Sequence, residues 1–512
     1  MSIFSKNKTT RVKRNKFNKS HERKLSINMG YLYPILCEEV IPADHFRVST
    51  ESLIRFHPMV APIMHRIDAY IHYFFVPYRL VWDGWNDFIT GGPDGKNTSI
   101  VPTMTISNDN KQHFKKGALA DYFGIPAMDP TVPMLATEAI NALPFRAYHT
   151  IYNEYYRDQT LTPEATVTKN DTVDFNTEGA SLASLRKRSW KKDYFTSALP
   201  WTQRGDEILI PIEGKVTYLN ESLVKASSDG LPISGALSAD ADGDLATSGI
   251  KSRIENIEGV TNAVTTINDL RKSIHLQKWL EKNARAGARI VEFVFEHFGI
   301  HQDDLRMSRP QYLGGGRSNI TISEVLATFG NDTIAQGTMA GHGVGVGNTN
   351  YFNKGFNEHG VILGILSVTP QPSYQQGIPK MFSHLDKFEY PFPEFANLGE
   401  QAIINKELYF DTQSNNGDNN LPFGYTPRYA EYKFGINSVH GDFRDDLSFW
   451  HGGRIFSNRP TLNAQFIECD TTSITNRIFP VTDSEATDKL YCQIYNNVKV
   501  LRCLPVFGTP TL

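Results

Sequence analysis

The chain has 512 residues, of which 40% are apolar and 21% charged, and its formal net charge is −3. That is the composition of a globular protein with material for a large core, and no apolar run approaches the roughly 18 residues a membrane span needs. The four cysteines, Cys37, Cys469, Cys492 and Cys503, show no C-x-x-C spacing, which favours buried thiols in a reducing compartment over a zinc site or a disulfide scaffold.

Charge is unevenly placed. Residues 1–24 hold nine Lys or Arg and a single acid, Glu22, leaving 43 basic against 54 acidic side chains beyond Lys24. The segment has neither the apolar stretch of a secretory signal nor the apolar helical face of a transit peptide. It is expected to be a basic N-terminal arm, disordered or directed into an interior.

Strand signals follow. HFRVSTESLIRF (45–56) alternates polar and apolar residues, and DAYIHYFFVP (68–77) is a β-branched and aromatic run closed by proline, as in a strand buried on both faces. Similar runs recur at VILGILSVTP (361–370), RYAEYKFGI (428–436), AQFIEC (464–469) and NNVKVLRCLP (496–505). Strands near both ends with no Gly/Ser linker between them predict one β domain over 25–512, with its first and last strands in a shared sheet.

Two segments depart from this pattern. Residues 205–262 contain one aromatic, Tyr218, with ten acids against four bases, and are expected to form an exposed insertion that adds little core. Residues 266–298 are expected to form one amphipathic helix, with Thr266 and Asp269 as a capping box and Gly299 as its stop. Leu276, Leu280, Ala284, Ala288, Val291 and Phe295 give it an apolar face suited to packing on a sheet.

Motifs for chemistry fail on inspection. Asp240-Ala-Asp242-Gly-Asp244 has Leu245 where a calcium loop needs Gly and Lys251 where it needs Glu. GHGVGVGN (341–348) fits neither phosphate-binding glycine pattern, and a mobile or tightly turning loop is expected there. His65, Asp68 and His72 do not share a strand face, and His440, Asp442 and His451 lack a recognised ligand spacing. No nucleophile elbow, H-E-x-x-H or kinase set is present, so neither an enzyme, a metal site nor a cofactor is expected.

Five blocks resist a bland reading: LSINMGYLYPILCEEVIPADHFRVSTE (25–51), MVAPIMHRIDAYIHYFFVPYRLVWDGWNDFITGG (59–92), ARIVEFVFEHFGIHQDDLRMSRPQYLGGG (288–316), YPFPEFANLGEQAI (390–403) and YTPRYAEYKFGINSVHGDFRDDLSFWH (425–451). In this order the chain resembles the major capsid proteins of the microviruses, small tailless phages with circular single-stranded DNA, and its insertion before the helix is similar to that of the gokushovirus-like branches. The resemblance implies an eight-stranded antiparallel jelly roll with long loop insertions and a few helices. It also implies a T=1 shell of sixty copies, and an insertion that protrudes at the threefold axes. Implied partners are the single-stranded genome, a small basic internal protein, a pilot protein, assembly proteins and a host receptor. The implied location is the virion, assembled in the bacterial cytoplasm.

Site expectations follow from charge and exposure within that frame. A closed shell must offset packed phosphates, and Arg11, Lys13, Arg14, Lys16 and Lys19 are the expected contacts to unpaired DNA. Trp82, Trp85, Phe88, Tyr390, Phe392 and Phe395 are expected at subunit interfaces. Tyr218, Asp240, Asp242 and Asp244 are expected to meet the host. Two other classes remain open on sequence: a β-sandwich glycan-binding or adhesin module, and a nucleic-acid-binding protein acting alone.

Overall fold

In a computed structural model, the described residues are 13–206, 208, 214–216, 238–239, 245–247, 250–251, 261–263, 267–326, 339–413, 418–480 and 488–507. The chain divides into two compact units, one formed by 1–202 with 286–512 and the other by 203–285.

The first unit is built on one antiparallel sheet. Its strands are β1 (Asn15–Asn18), β2 (His21–Ile27), β3 (Tyr33–Val40), β4 (His45–Phe56), β5 (Ile67–Pro77), β6 (Gln311–Leu326), β7 (Met339–Gly355), β8 (Gly360–Pro370) and β9 (Leu490–Arg502). Their order is β1-β9-β4-β7-β6-β5-β8-β3, with β2 also on β9. The first and last strands of the fold therefore share one sheet, as expected. The sheet curls: side chains at one end of the order bond β3 at the other. Arg23 Nη1 donates to Pro34 O at 3.3 Å, Asn496 Nδ2 to Ile35 O at 2.9 Å, and Arg502 Nη2 to Glu39 O at 2.7 Å. This is a mainly β fold of the jelly-roll kind. Among the described residues its sheet has nine strands rather than eight, because part of the presumed arm pairs with β9.

Two cores sandwich the middle strands. Ile71, Tyr73 and Phe75 of β5 enter one cluster with Phe46, Val48, Ile494 and Val498. Phe74 and Val76 point the other way, into a cluster with Leu363, Ile365 and the helix α1 (Leu143–Ile151). Period-two alternation into two apolar layers explains why β5 and β8 read as nearly continuous apolar runs. A chain of hydrogen bonds crosses the first core: Tyr73 OH to Thr50 Oγ1, Thr50 to Asn496 Oδ1, and Asn496 to β3. Each buried polar group in it has a partner, so it ties four strands without a desolvation penalty.

Several local expectations are corrected. GHGVGVGN is no loop but the middle of β7: Gly341, Gly343, Gly345 and Gly347 alternate inward, where a Cβ would lie 2.9 Å from Phe56 Cγ at Gly343 and 2.9 Å from an Ile320 methylene at Gly345. AQFIEC contains the helical turn Ala464–Ile467, capped by Asn463 Oδ1 accepting from Phe466 N. Ala430–Tyr432 is a short 3₁₀ turn.

In the second unit, short antiparallel pairings join 214–216 to 261–263 and 245–247 to 238–239 and 250–251. Helix α2 (Ile267–Ala286) follows, with Gln277 bonded to Gln203 and Glu281. Helix α3 (Ile290–Phe298) belongs to the first unit. Gly287, at φ +106°, separates the two helices where one was expected, since α-helix cannot continue through that conformation. The expected apolar face is only partly buried: Ala284 is buried, Leu280 and Val291 are half-buried, and Leu276, Ala288 and Phe295 are exposed. The expected cap Thr266 lies outside the described residues.

Candidate functional site

The segment 380–398 carries few regular hydrogen bonds and much apolar surface. Three short 3₁₀ turns, Lys380–Ser383, Lys387–Glu389 and Pro393–Phe395, hold its shape. Asp386 Oδ1 accepts from Lys387 N at 2.8 Å, and Glu389 Oε2 accepts from Asp386 N at 3.0 Å and also from Leu385 N. Those bonds to Glu389 favour its charged form and lower its pKa. Prolines 391 and 393 stiffen the chain further. Lys380 Nζ anchors the start to Glu407 Oε1 at 3.2 Å, and the Tyr429 hydroxyl lies 3.3 Å from Phe392 N.

What this frame displays is hydrophobic. Leu385 is 91% exposed and Phe382 68%, with Met381, Phe388, Tyr390, Phe392 and Leu398 also exposed. The ring of Tyr432 stacks on His384 at 6.2 Å, and Tyr432 and Phe434 are also exposed. Phe395 is half-buried beneath Phe388 and Phe392, at 6.2 and 6.0 Å between rings. Aromatics, Met and Leu exposed along one segment have the composition of a protein–protein contact, and the turns and prolines hold that segment in shape before any partner arrives. Met381, Phe382, Leu385, Tyr432 and Phe434 were missed in the sequence. Their signal was apolar residues among Ser, His, Asp and Lys with neither helical nor strand period.

The other expected interface group divides. Trp82 is 0% exposed, its indole N–H donates to Asp171 Oδ1 at 2.6 Å, and it belongs to the second core. That corrects its assignment: it has no surface to offer a neighbour. Trp85 and Phe88 are half-buried on it, with the Trp85 ring tilted against Tyr78 at 4.7 Å between centroids.

Within the basic arm, residues 15–18 lie in β1 and residues 21–24 in β2. Lys13, Arg14 and Lys16 are exposed, while the exposed Lys19 ammonium is paired with the Glu38 carboxylate, which lowers the charge it can offer to phosphate. Arg23 is also engaged, bonding Tyr122 O at 3.0 Å. Arg11 lies outside the described residues, as do Tyr218, Asp240, Asp242 and Asp244. The histidines considered for metal have protein partners: His65 Nε2 with Gln371 O at 2.7 Å, His72 Nδ1 with Tyr156 OH at 2.9 Å, and His451 Nε2 with Phe443 O at 2.7 Å. Asp68 lies buried between Arg66 and Arg317.

The family model described as "Capsid protein (F protein)" matches residues 5–512. The chain belongs to that capsid protein family. It is 34% identical to the capsid protein VP1 of Chlamydia phage 1, with 99% of this chain and 97% of the relative covered. Identity to capsid protein VP1 of Bdellovibrio phage phiMH2K is 35%, over 91% and 90% of the two chains. To capsid protein VP1 of Spiroplasma virus 4 it is 28%, over 99% and 97%. The resemblance to microvirus capsid proteins is thus the correct one. A capsid protein is a structural component of the virion that assembles with copies of itself into a shell, not an enzyme.

Proposed function

We propose that this capsid protein forms a T=1 icosahedral shell of sixty copies around a circular single-stranded DNA genome, using the surface at 381–398 and 432–436 as a contact between copies. The observation that carries the self-contact is the rigid apolar patch headed by Leu385 and Phe382, too hydrophobic to remain wet on a stable particle. Tyr390, Phe392 and Phe395 belong to it. Trp85 and Phe88 form a secondary, half-buried edge.

The exposed cations Lys13, Arg14 and Lys16, with Arg11, are assigned to the genome. The acidic insertion at 205–262, with Tyr218, Asp240, Asp242 and Asp244, is assigned to the host receptor. Its negative charge disfavours contact with DNA. A small basic internal protein, a pilot protein and assembly proteins of the same virus complete the particle. Assembly in the bacterial cytoplasm is supported by four free cysteines. Burial pushes the Cys37, Cys469 and Cys492 thiols up to about 12, which keeps them protonated and slow to oxidise.

The test is co-expression of the full chain with the other virion and assembly proteins, followed by sedimentation and negative-stain microscopy. Closed shells of one size holding nuclease-resistant single-stranded DNA are expected. A chain that remains monomeric, or that forms only open sheets, would refute the closed-shell reading.

A further inference from the structure

Among the described residues, one face of the curled sheet is largely exposed along β4 and β9. Along β4 and β9 every second residue is buried, and the residues between them point outward. The registers place those outward residues in rows. Asn18 of β1 lies beside Lys499, Lys499 beside Arg47, and Arg47 beside Asn353 of β7. In the neighbouring row Lys16 lies beside Leu501. Toward the other end of the face, Lys24 of β2 lies beside Gln493, and Arg55 beside Tyr491.

The charge of this face is opposite to that of the chain. Lys16, Lys24, Arg47, Arg55 and Lys499 point outward, and none is in an ion pair among the described residues. Against these five cations the rows hold two acids, Glu22 and Glu51, which flank Tyr495 on either side. A surplus of +3 therefore gathers on one sheet face of a chain whose total is −3.

Tyrosines stand among the cations. Tyr351 is 69% exposed and Tyr491 is also exposed, while Tyr495 is half-buried. By strand spacing and rise, Tyr351 and Tyr495 stand roughly 12 Å apart on the sheet. A flat sheet carrying spaced rings, unpaired cations and side-chain amides can stack bases and hold phosphates at once. Only unpaired bases have free faces for those rings, so a duplex could use the cations but not the tyrosines.

We propose that the outward face of β1/β2, β9, β4 and β7 is a stacking platform for single-stranded nucleic acid, with Tyr351 and Tyr491 receiving bases and Arg47 and Lys499 receiving phosphates. This deepens, and rests on, the reading that the arm meets the genome, because β1 belongs to that arm and its Lys16 lies on the same face.

The test is binding of the full chain to labelled oligothymidine across a salt series, with a duplex of equal length for comparison. Tyr351→Thr, a strand-compatible change at an exposed position, is expected to weaken single-strand binding roughly five- to a hundred-fold while leaving duplex binding unchanged. Tyr351→Phe, which keeps the ring, is expected to bind as the parent does. The pair Arg47→Gln with Lys499→Gln is expected to reduce the log–log salt slope by about 1.4. If both face variants bind like the parent while Lys13→Gln with Arg14→Gln weakens binding, the platform is wrong and the arm reading stands. If no variant of either group changes binding, both readings fail. If Tyr351→Thr alters sedimentation without oligonucleotide and leaves oligonucleotide affinity intact, the face is a contact between copies and the proposal is overturned.

Discussion

Arg146 and Glu178 form a buried bidentate ion pair, Nε to Oε1 at 3.2 Å and Nη2 to Oε2 at 3.3 Å, with neither side chain more than 1% exposed. The guanidinium sits on α1 and also donates to Val81 O at 3.3 Å, Asn170 O at 2.8 Å and Thr168 Oγ1 at 3.1 Å. Glu178 in turn accepts from Thr168 N at 2.9 Å. One pair thus fastens the irregular segment 168–178 to the helix and to the end of the Trp82 cluster.

Glu178→Gln is expected to destabilise the subunit by about 3–5 kcal/mol, since it leaves a buried guanidinium uncompensated. Arg146→Met combined with Glu178→Leu removes both charges and should cost clearly less than the single change. Urea unfolding of the soluble subunit compares the two. Equal losses from the single and double variants would mean that the bonds to Val81, Thr168 and Asn170 matter more than the charge pair.

Acid should weaken the subunit through its buried histidines. Burial lowers His65 and His72 to about 4 and, with Arg186 nearby, lowers His149 to about 3. Each is held neutral in the fold but titrates near 6.5 when unfolded. Their stabilisation is therefore complete above about pH 6.5 and is lost as pH falls toward 4, on the order of 3 kcal/mol for each of His65 and His72. His149 Nδ1 accepts from Arg186 Nε at 3.1 Å, a bond that protonation would abolish. The melting temperature should drop steeply over that window, and His149→Gln should flatten part of the drop. A melting temperature constant from pH 7 to 4 would contradict this.

Much of this fold could be read along the chain, and the failures have one physical source. β5 and β8 were legible because both of their faces are apolar, and the last strand because its alternation is strict. The glycines of 341–347 were misread because local rules assign glycine to turns, whereas here Phe56 and Ile320 occupy the space a side chain would need. Likewise Trp82 and Phe392 look alike in sequence. Only tertiary packing reveals that one fills a core and the other faces solvent. Lys16 and Lys19 are equally basic, but a carboxylate from β3 neutralises one of them.

The glycine reading can be checked directly. Gly343→Ala should destabilise the subunit by about 1–3 kcal/mol, because the added methyl overpacks the Phe56 ring. Combining it with Phe56→Leu should recover part of that loss, which a double-mutant cycle would measure. If Gly343→Ala is neutral, the strand has room that the close approach to Phe56 denies.

Trp82 and the 381–398 patch should separate stability from assembly. Trp82→Ala removes a fully buried indole and leaves Asp171 without its donor, so a loss of about 3–5 kcal/mol in subunit stability is expected. Leu385→Ser with Phe392→Ala touches exposed side chains, and should alter unfolding by less than about 1 kcal/mol. At a contact between copies, however, truncating such anchors costs about 2 kcal/mol or more each, and a closed shell repeats that loss at every equivalent contact. The double variant should therefore yield soluble, folded subunits that fail to form particles when the assembly partners are present. Unfolding curves and sedimentation of the same preparations decide the matter. Normal particles from the Leu385 and Phe392 variant would remove this surface from the subunit contact, and outright unfolding would place it in the core beside Trp82.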